Sequence, residues 1–166
     1  MCIKSVGTKP LIDFISQSAE QTFFAGEHLG AVCRGGEVLC LSGALGCGKT
    51  TLAQGIGKGL GVAGPVTSPT FTVLKEYFGR LKLFHFDFYR FEQQIREADV
   101  EFEEYLRDDA VCVIEWAEYA QEFLPENHLL VRMAMVSESK RALQFIARGT
   151  QHDDLARRFQ ALAFRA

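Results

Sequence analysis

The sequence predicts an α/β domain of three layers built around a mixed sheet, and three features lead to this fold class. Helical patterns alternate with continuous apolar runs through the first two thirds of the chain. Such apolar runs are typical of strands buried on both faces, as in parallel sheets. Two segments of alternating polarity later in the chain indicate an antiparallel pair. The sheet is therefore expected to contain both parallel and antiparallel strands.

The first half of the chain opens with a capping box at Ser18 and Gln21, which predicts a helix from Ala19 to Cys33. Val38–Leu41 is an apolar run and predicts a buried strand. Lys49–Leu60 has apolar residues at helical spacing and predicts the helix that follows. This second helix carries three weakening glycines, for which close packing on the sheet and local mobility are both open explanations. Those glycines are Gly55, Gly57 and Gly59.

The remaining elements follow from the same patterns. We expect a loop, a hairpin around Phe78-Gly79, an acidic helix, a second buried strand, an antiparallel pair and an amphipathic tail helix. The loop is placed at Pro65–Pro69, the hairpin strands at Phe71–Tyr77 and Arg80–Phe86, and the acidic helix at Phe91–Leu106. The second buried strand is placed at Val111–Ile114, and the antiparallel pair at Leu129–Val136 and Ala142–Ala147. The tail helix is placed around Leu155, Phe159 and Leu162.

Composition narrows the class of protein. The 166 residues predict a single domain spanning 1–166, with 48% hydrophobic and 23% charged residues. The net charge of −3 and the lack of a basic run argue against direct RNA binding, so a partner is expected to hold any RNA. Five cysteines without a C-x-x-C spacing argue against a disulfide framework or a zinc site. The absence of a signal peptide or a long apolar run predicts a cytoplasmic protein without a membrane partner.

The segment Gly43–Thr50 matches the phosphate-loop (P-loop) pattern G-x-x-x-x-G-K-[ST] at every fixed position, between a predicted strand and a predicted helix. Its glycines allow successive backbone N–H groups to point at phosphate oxygens, and the helix N-terminus adds its positive dipole end. Lys49 is expected to reach the β and γ phosphates and to act in catalysis. Thr50 is expected to ligate Mg²⁺, and Thr51 to contact the α phosphate.

The loop therefore predicts a P-loop NTPase. The guanine-reading N-K-x-D and the D-x-x-G of GTPases are both absent, which favours ATP. The residues of the loop expected to contact the nucleotide are Gly43, Leu45, Gly46, Cys47, Gly48, Lys49, Thr50 and Thr51.

Two acids follow predicted strands and could complete a magnesium site. Asp87 ends one strand and Glu115 ends another, and strand ends of an open α/β sheet converge on the ligand crevice. The residues alone leave open which acid holds the metal and which orients water. Trp116 is interpreted as an aromatic platform at the mouth of the site. His85 is interpreted as a packed, hydrogen-bonded residue.

Three functional classes fit these motifs. A small ATPase that switches a partner fits best, because no acceptor pocket or Arg-rich lid is evident. A small-molecule or nucleoside kinase is the alternative, with Asp87 as base for an acceptor hydroxyl. A non-hydrolysing adaptor that uses nucleotide only for shape is the third.

Four motifs in order and spacing resemble the bacterial tRNA threonylcarbamoyladenosine biosynthesis ATPase family TsaE (YjeE). They are Leu45–Thr51, Ser68–Phe71, His85–Arg90 and Ile114–Trp116. The resemblance runs from about Ser18 to the strand ending near Ala147. It implies a P-loop fold in which parallel core strands are flanked by antiparallel strands.

The resemblance also implies a function. Members of this family hydrolyse ATP weakly alone and assist the TsaD–TsaB pair, which modifies the adenosine beside the anticodon of ANN-reading tRNAs. By similarity, Thr50 and Glu115 would hold Mg²⁺, Asp87 would serve in hydrolysis and Trp116 would lie near the nucleotide. Ser68, Pro69 and Thr70 would form a switch-like loop. The tRNA would be met only indirectly, through the complex.

Overall fold

The computed structural model describes residues 11–69, 72–89 and 101–165. Within these ranges, seven strands form one sheet. They are β1 (Ile12–Ser16), β2 (Val38–Ser42), β3 (Leu74–Tyr77), β4 (Lys82–Asp87), β5 (Ala110–Glu115), β6 (His128–Met135) and β7 (Arg141–Arg148). Their spatial order is β1-β7-β6-β2-β5-β4-β3.

The sheet is mixed, as predicted. Strands β6, β2, β5 and β4 run parallel to one another. On the two flanks, β7 pairs antiparallel with β6 and β3 pairs antiparallel with β4, and β1 pairs antiparallel with β7. The apolar run Val38–Leu41 is buried because β2 lies in the middle of the sheet. The carboxyl ends of the four parallel strands therefore meet at one edge.

Three α-helices pack against one face of the sheet. They are α1 (Ala19–Val32), α2 (Lys49–Gly59) and α3 (Thr150–Ala163), and residues of all three share one core with the strands. The Ser18 hydroxyl accepts the Gln21 N–H at 3.1 Å, which confirms the predicted N-cap. Phe145 and Phe159 join β7 to α3 in this core.

The glycines of α2 have a steric explanation. A Cβ at Gly55 would overlap the carbonyl oxygen of Phe23, and one at Gly59 would overlap that of Glu27. Both carbonyls belong to α1, so the two helices touch along their backbones. Close packing is the correct explanation for these two positions, but the partner is α1 and not the sheet. Gly57 differs from the other two, since a Cβ there would meet the side chain of Val66 instead.

The other face of the sheet is covered differently from the prediction. Its core contains Phe84, Phe86 and Phe88, together with residues of two 3₁₀ helices at Phe102–Tyr105 and Ala117–Ala120. In the described part of the chain no α-helix lies on this face, so the third layer consists of 3₁₀ turns and aromatic rings. Most of the acidic helix predicted at Phe91–Leu106 lies outside the described residues, and its described end is 3₁₀ rather than α.

Cys40 and Cys112 are small residues buried in the core on this aromatic side of the sheet. Burial raises the pKa of the Cys112 thiol to about 12, and burial also raises the pKa of the Cys40 thiol. Both thiols are therefore inert core groups at neutral pH.

The sequence interpretation missed β1. Its residues alternate, with Ile12 and Phe14 packed towards the helices and Asp13 and Ile15 exposed, so a period-2 signal is present but short. The predicted hairpin is confirmed for β3 and β4, although Phe71 lies outside the described residues. Across ranges 11–69, 72–89 and 101–165, none of the helices has the length and apolar character needed to span a membrane.

Candidate functional site

The glycine-rich loop connects β2 to α2 at the carboxyl edge of the parallel strands. Gly43, Gly46 and Gly48 have φ angles of 151°, 80° and 99°, a region that side chains rarely adopt. A Cβ at Gly43 would also overlap the carbonyl oxygen of Met133 on β6. The loop therefore needs glycine both for its path and for its contact with the neighbouring strand.

Lys49, the first residue of α2, is 5% exposed and lies across the loop. Its Nζ donates to the carbonyls of Gly43 at 2.5 Å and Ala44 at 3.0 Å, and lies 3.6 Å from the Cys47 sulfur. The same ammonium lies 3.7 Å from the centroid of the Trp116 ring. A cation at this distance from an indole face is attracted by the ring quadrupole.

Glu115 contacts two polar side chains, one on the helix that follows the loop and one on the neighbouring strand β4. It ends β5, is 2% exposed, and pairs with Asp87 across the β4–β5 ladder. The Thr50 hydroxyl donates to Glu115 Oε2 at 3.1 Å, and His85 Nε2 lies 2.9 Å from Glu115 Oε1. Each oxygen of this buried carboxylate thus has one side-chain partner.

Asp87 has a different environment from Glu115. It is half-buried, and its Oδ2 accepts the Ser68 hydroxyl at 2.6 Å while its Oδ1 accepts the Tyr89 N–H at 2.9 Å. The structure thus joins Glu115 to the loop threonine, and Asp87 to the segment proposed as a switch. Pro69 is buried beside Ser68, and Thr70 lies outside the described residues.

Trp116 lies between the loop and two tyrosines. Its ring centroid is 4.7 Å from that of Tyr89 and 5.5 Å from that of Tyr119, which it stacks almost parallel. Its backbone is left-handed, with φ of 55°, and its side chain is 9% exposed. The left-handed turn after Glu115 directs the Trp116 ring to Lys49, and places it in the core of the aromatic face as well.

Three contacts of the site were missed or left unassigned by the sequence interpretation. Glu118 Oε1 accepts the Gly43 N–H at 3.3 Å, and Arg141 Nη2 donates to the Gly46 carbonyl at 3.2 Å. His85 was interpreted as a packed residue, but its partner Glu115 was not identified. No local pattern marks these pairs, because each joins segments 30 to 95 residues apart. Leu45, at the tip of the loop, is 74% exposed.

The donor atoms fit a magnesium ion. Thr50 Oγ1 and Glu115 Oε2 are hard oxygen donors 3.1 Å apart, beside the loop lysine. In the part of the chain that the structure describes, no group of three His, Cys, Asp or Glu residues could hold a metal ion. Magnesium at phosphate sites usually takes one or two protein oxygens and completes its shell with phosphate and water. This limited donor set therefore suits a metal that arrives with a nucleotide.

The fold and this arrangement define a mixed α/β protein with a phosphate-loop sequence at the carboxyl edge of its parallel strands. The model of the family described as threonylcarbamoyl adenosine biosynthesis protein TsaE matches residues 16–143. The chain belongs to this family, which takes part in tRNA threonylcarbamoyladenosine biosynthesis.

Individual relatives agree with this assignment. The tRNA threonylcarbamoyladenosine biosynthesis protein TsaE of Bacillus subtilis is 38% identical over 137 residues, covering 82% of this chain and 85% of the relative. The protein of the same name from Treponema pallidum is 37% identical over 129 residues, covering 78% and 96%. The crystal structure of YdiB from Bacillus subtilis superposes with a TM-score of 0.75 at 31% identity, covering 90% of this chain and 93% of that one.

Proposed function

We propose that this protein is a magnesium-dependent ATPase that assists threonylcarbamoylation of the adenosine next to the anticodon of ANN-reading tRNAs by acting on the TsaD–TsaB complex. The observation that carries the ATPase proposal is the contact between Thr50 Oγ1 and Glu115 Oε2 at the base of the glycine-rich loop. A hydroxyl at the helix start and a carboxylate at a strand end are the two protein groups that P-loop proteins use for Mg²⁺.

In this proposal, the residues of the site share the binding of phosphate and metal among them. Lys49 neutralises charge on the β and γ phosphates, and the backbone N–H groups of Gly46 and Gly48 contact phosphate oxygens. Thr50 and Glu115 would hold the Mg²⁺ ion. The bound metal would offset negative charge on the phosphates while the terminal phosphoryl group of ATP is transferred to water. Trp116 keeps the Lys49 ammonium at the loop through the contact of 3.7 Å.

Asp87 is the residue proposed to act on the water. Its carboxylate is half-buried, lies beside Glu115 in the β4–β5 ladder and is bonded to Ser68. A carboxylate in this position can orient a water or accept its proton. Since Ser68 already donates to Asp87, movement of the segment around Ser68 would change the hydrogen bonding of Asp87. This link supports the proposed switch-like role of that loop.

Family membership and charge support the biological part of the proposal. The family model and the relatives are named for tRNA threonylcarbamoyladenosine biosynthesis. The net charge of −3 does not favour direct binding of tRNA by this chain, which agrees with action on the TsaD–TsaB pair.

Phosphate release from ATP and Mg²⁺ by the purified chain, with and without a bacterial TsaB–TsaD pair, tests the proposal. We expect slow release alone, faster release with the pair, and co-elution of the chain with the pair on a sizing column. Unchanged release without association would contradict it. A rate that depends instead on an added metabolite or nucleoside acceptor would support the kinase alternative.

A further inference from the structure

We propose that His85 is a positioning residue for the magnesium site: it orients the Glu115 carboxylate so that Oε2 is directed at Thr50. This inference rests on the proposed function, because it assigns Glu115 to the metal. It is carried by one pair of contacts. His85 Nε2 lies 2.9 Å from Glu115 Oε1, and the other oxygen of the same carboxylate accepts the Thr50 hydroxyl at 3.1 Å.

The sheet geometry brings His85 to this position. His85 pairs with Val113 and Asp87 pairs with Glu115 in the parallel β4–β5 ladder. Side chains two residues apart on a strand lie on the same face. His85, Asp87 and Glu115 therefore all project towards the face that carries α2, and His85 reaches Glu115 diagonally across the two strands.

The direction of the hydrogen bond follows from the chemistry of the carboxylate. A carboxylate that holds a metal ion is ionised and only accepts, so the proposal requires the proton of this bond to be on His85 Nε2. The bond fixes Oε1, and the remaining oxygen is held towards Thr50. Both partners are enclosed, with His85 0% and Glu115 2% exposed, so water cannot replace the donor at Oε1.

The alternative that His85 merely fills the core is less consistent with its surroundings. The same face of β4 and β5 also holds Leu83, Val111 and Val113, which are fully buried apolar residues. An apolar residue at position 85 would continue this surface without the desolvation cost of an imidazole. Glu115 would then keep a buried oxygen without its donor. The imidazole is therefore matched to Glu115 rather than to the core.

A fixed carboxylate needs less reordering when the metal arrives. Loss of a residue that orients a metal ligand typically lowers metal affinity by roughly 10–100-fold. In a variant that loses the His85 donor, we expect ATP affinity without Mg²⁺ to equal that of the wild type. The gain in ATP affinity on adding Mg²⁺ should be smaller than in the wild type. A purely structural defect would weaken both affinities.

The test compares two amide substitutions by calorimetric titration with a non-hydrolysable ATP analogue, in Mg²⁺ and in EDTA. His85→Gln keeps an N–H donor near the place of Nε2, and we expect its Mg²⁺-dependent gain to stay within about threefold of wild type. His85→Asn is too short to reach Glu115, and we expect the gain to fall by roughly 10-fold or more. His152→Asn is the matched control, since His152 is 1% exposed and bonds the backbone of Val38 instead.

Two outcomes would overturn the inference while leaving the proposed function intact: a wild-type gain in His85→Asn, or equal losses in the Gln and Asn variants. Absence of any Mg²⁺-dependent gain in the wild type would overturn the proposed function as well. A measurement on the wild type keeps the test valid if a variant does not fold. Long-range ¹H–¹⁵N spectra should show the His85 proton on Nε2, and a proton on Nδ1 alone would contradict the inference.

Discussion

Two buried carboxylates, at opposite ends of the neighbouring strands β2 and β5, have different kinds of hydrogen-bond partner. Glu37 directly precedes β2 and is 1% exposed; Glu115 ends β5 and is 2% exposed. Glu37 accepts the backbone N–H groups of Arg34 and Gly35, both at 2.7 Å, and lies 3.5 Å from Arg158 Nη2. Glu115, in contrast, is contacted by the side chains of Thr50 and His85.

Glu37 and Glu115 are equally buried, and they differ in the groups that contact them. Backbone N–H groups are fixed by the turn between α1 and β2, so Glu37 closes that turn and its charge is neutralised within the protein by Arg158. The partners of Glu115 are a hydroxyl and an imidazole, and the residues described around it provide no Arg or Lys salt bridge. A buried carboxylate whose partners in the described residues include no Arg or Lys salt bridge is better suited to an external cation than one already paired with Arg158.

Two of the buried histidines, His152 and His85, show the same contrast between a backbone partner and a side-chain partner. His152 Nε2 accepts the Val38 N–H at 3.0 Å, beside Glu37, and therefore serves the backbone. His85 Nε2 bonds a side chain of the candidate site. The Glu37 end is thus expected to determine stability, and the Glu115 end is expected to determine nucleotide and metal binding. The following changes test that division, from the largest expected effect to the smallest.

Substitution Lys49→Ala should give the largest loss at the Glu115 end. It removes the ammonium that contacts Gly43, Ala44 and the Trp116 ring. We expect ATP affinity to fall by roughly 100-fold or more, since a charge-assisted contact to phosphate is lost, while the chain stays folded. Titration with ATP measures this, and Lys58→Ala, an exposed position on the same helix, is the control. Wild-type affinity in Lys49→Ala would mean that the loop does not bind phosphate.

Asp87→Asn should separate binding from hydrolysis at the same end of the sheet. Asparagine can still accept the Tyr89 N–H, so the loop geometry is kept. We expect ATP affinity close to wild type and phosphate release slowed by about 100-fold, the usual effect of losing a proton-transfer or positioning group. Loss of ATP binding in this variant would instead make Asp87 a metal ligand or a structural residue.

Glu37→Gln should affect stability alone. The amide has one acceptor oxygen for the two N–H groups of Arg34 and Gly35, and the charge facing Arg158 is lost. We expect the free energy of unfolding to fall by about 3 kcal/mol, with unchanged ATP affinity in the folded protein. Urea denaturation measures the first quantity. Destabilisation below about 1 kcal/mol would show that Glu37 is not the closing residue of the turn.

How far the sequence predicts this molecule depends on how local each signal is. The capping box at Ser18, the loop at Gly43–Thr50 and the buried run at Val38–Leu41 are contiguous patterns, and the elements they predict are found. The acids Asp87 and Glu115 were predicted to lie at one edge of the sheet because parallel strands share an edge, and they are partners in the β4–β5 ladder.

The features that were missed depend on distant partners. Strand β1 is specified by its pairing with β7, at the other end of the described chain. The contact of Glu118 with Gly43, and that of His85 with Glu115, arise only when separate strands assemble. Glu37 gave no signal, because a single glutamate before a strand is common and its backbone partners depend on the exact path of the turn.

The smallest expected effect is the dependence of stability on pH through His152. Burial lowers the pKa of His152 from 6.5 to about 4, with a smaller contribution from the nearby His128. Because the unfolded chain binds the proton more tightly, stability from His152 is complete above about pH 6.5 and is lost as the pH falls towards 4. We expect a loss on the order of 2 kcal/mol over this range in urea denaturation. In His152→Gln this part of the pH dependence should disappear; an unchanged pH profile would contradict the assignment.

The central claim is that Glu115, and not Glu37, is the carboxylate that receives a metal ion. The most direct test is the Mg²⁺-dependent gain in ATP affinity, measured by calorimetric titration for the wild type, Glu115→Gln and Glu37→Gln. In Glu115→Gln the new amide can still contact both Thr50 and His85, so folding should be preserved, while the charge that holds Mg²⁺ is absent. We predict that the gain is present in the wild type and in Glu37→Gln and is lost in Glu115→Gln. A full gain in Glu115→Gln would contradict the account.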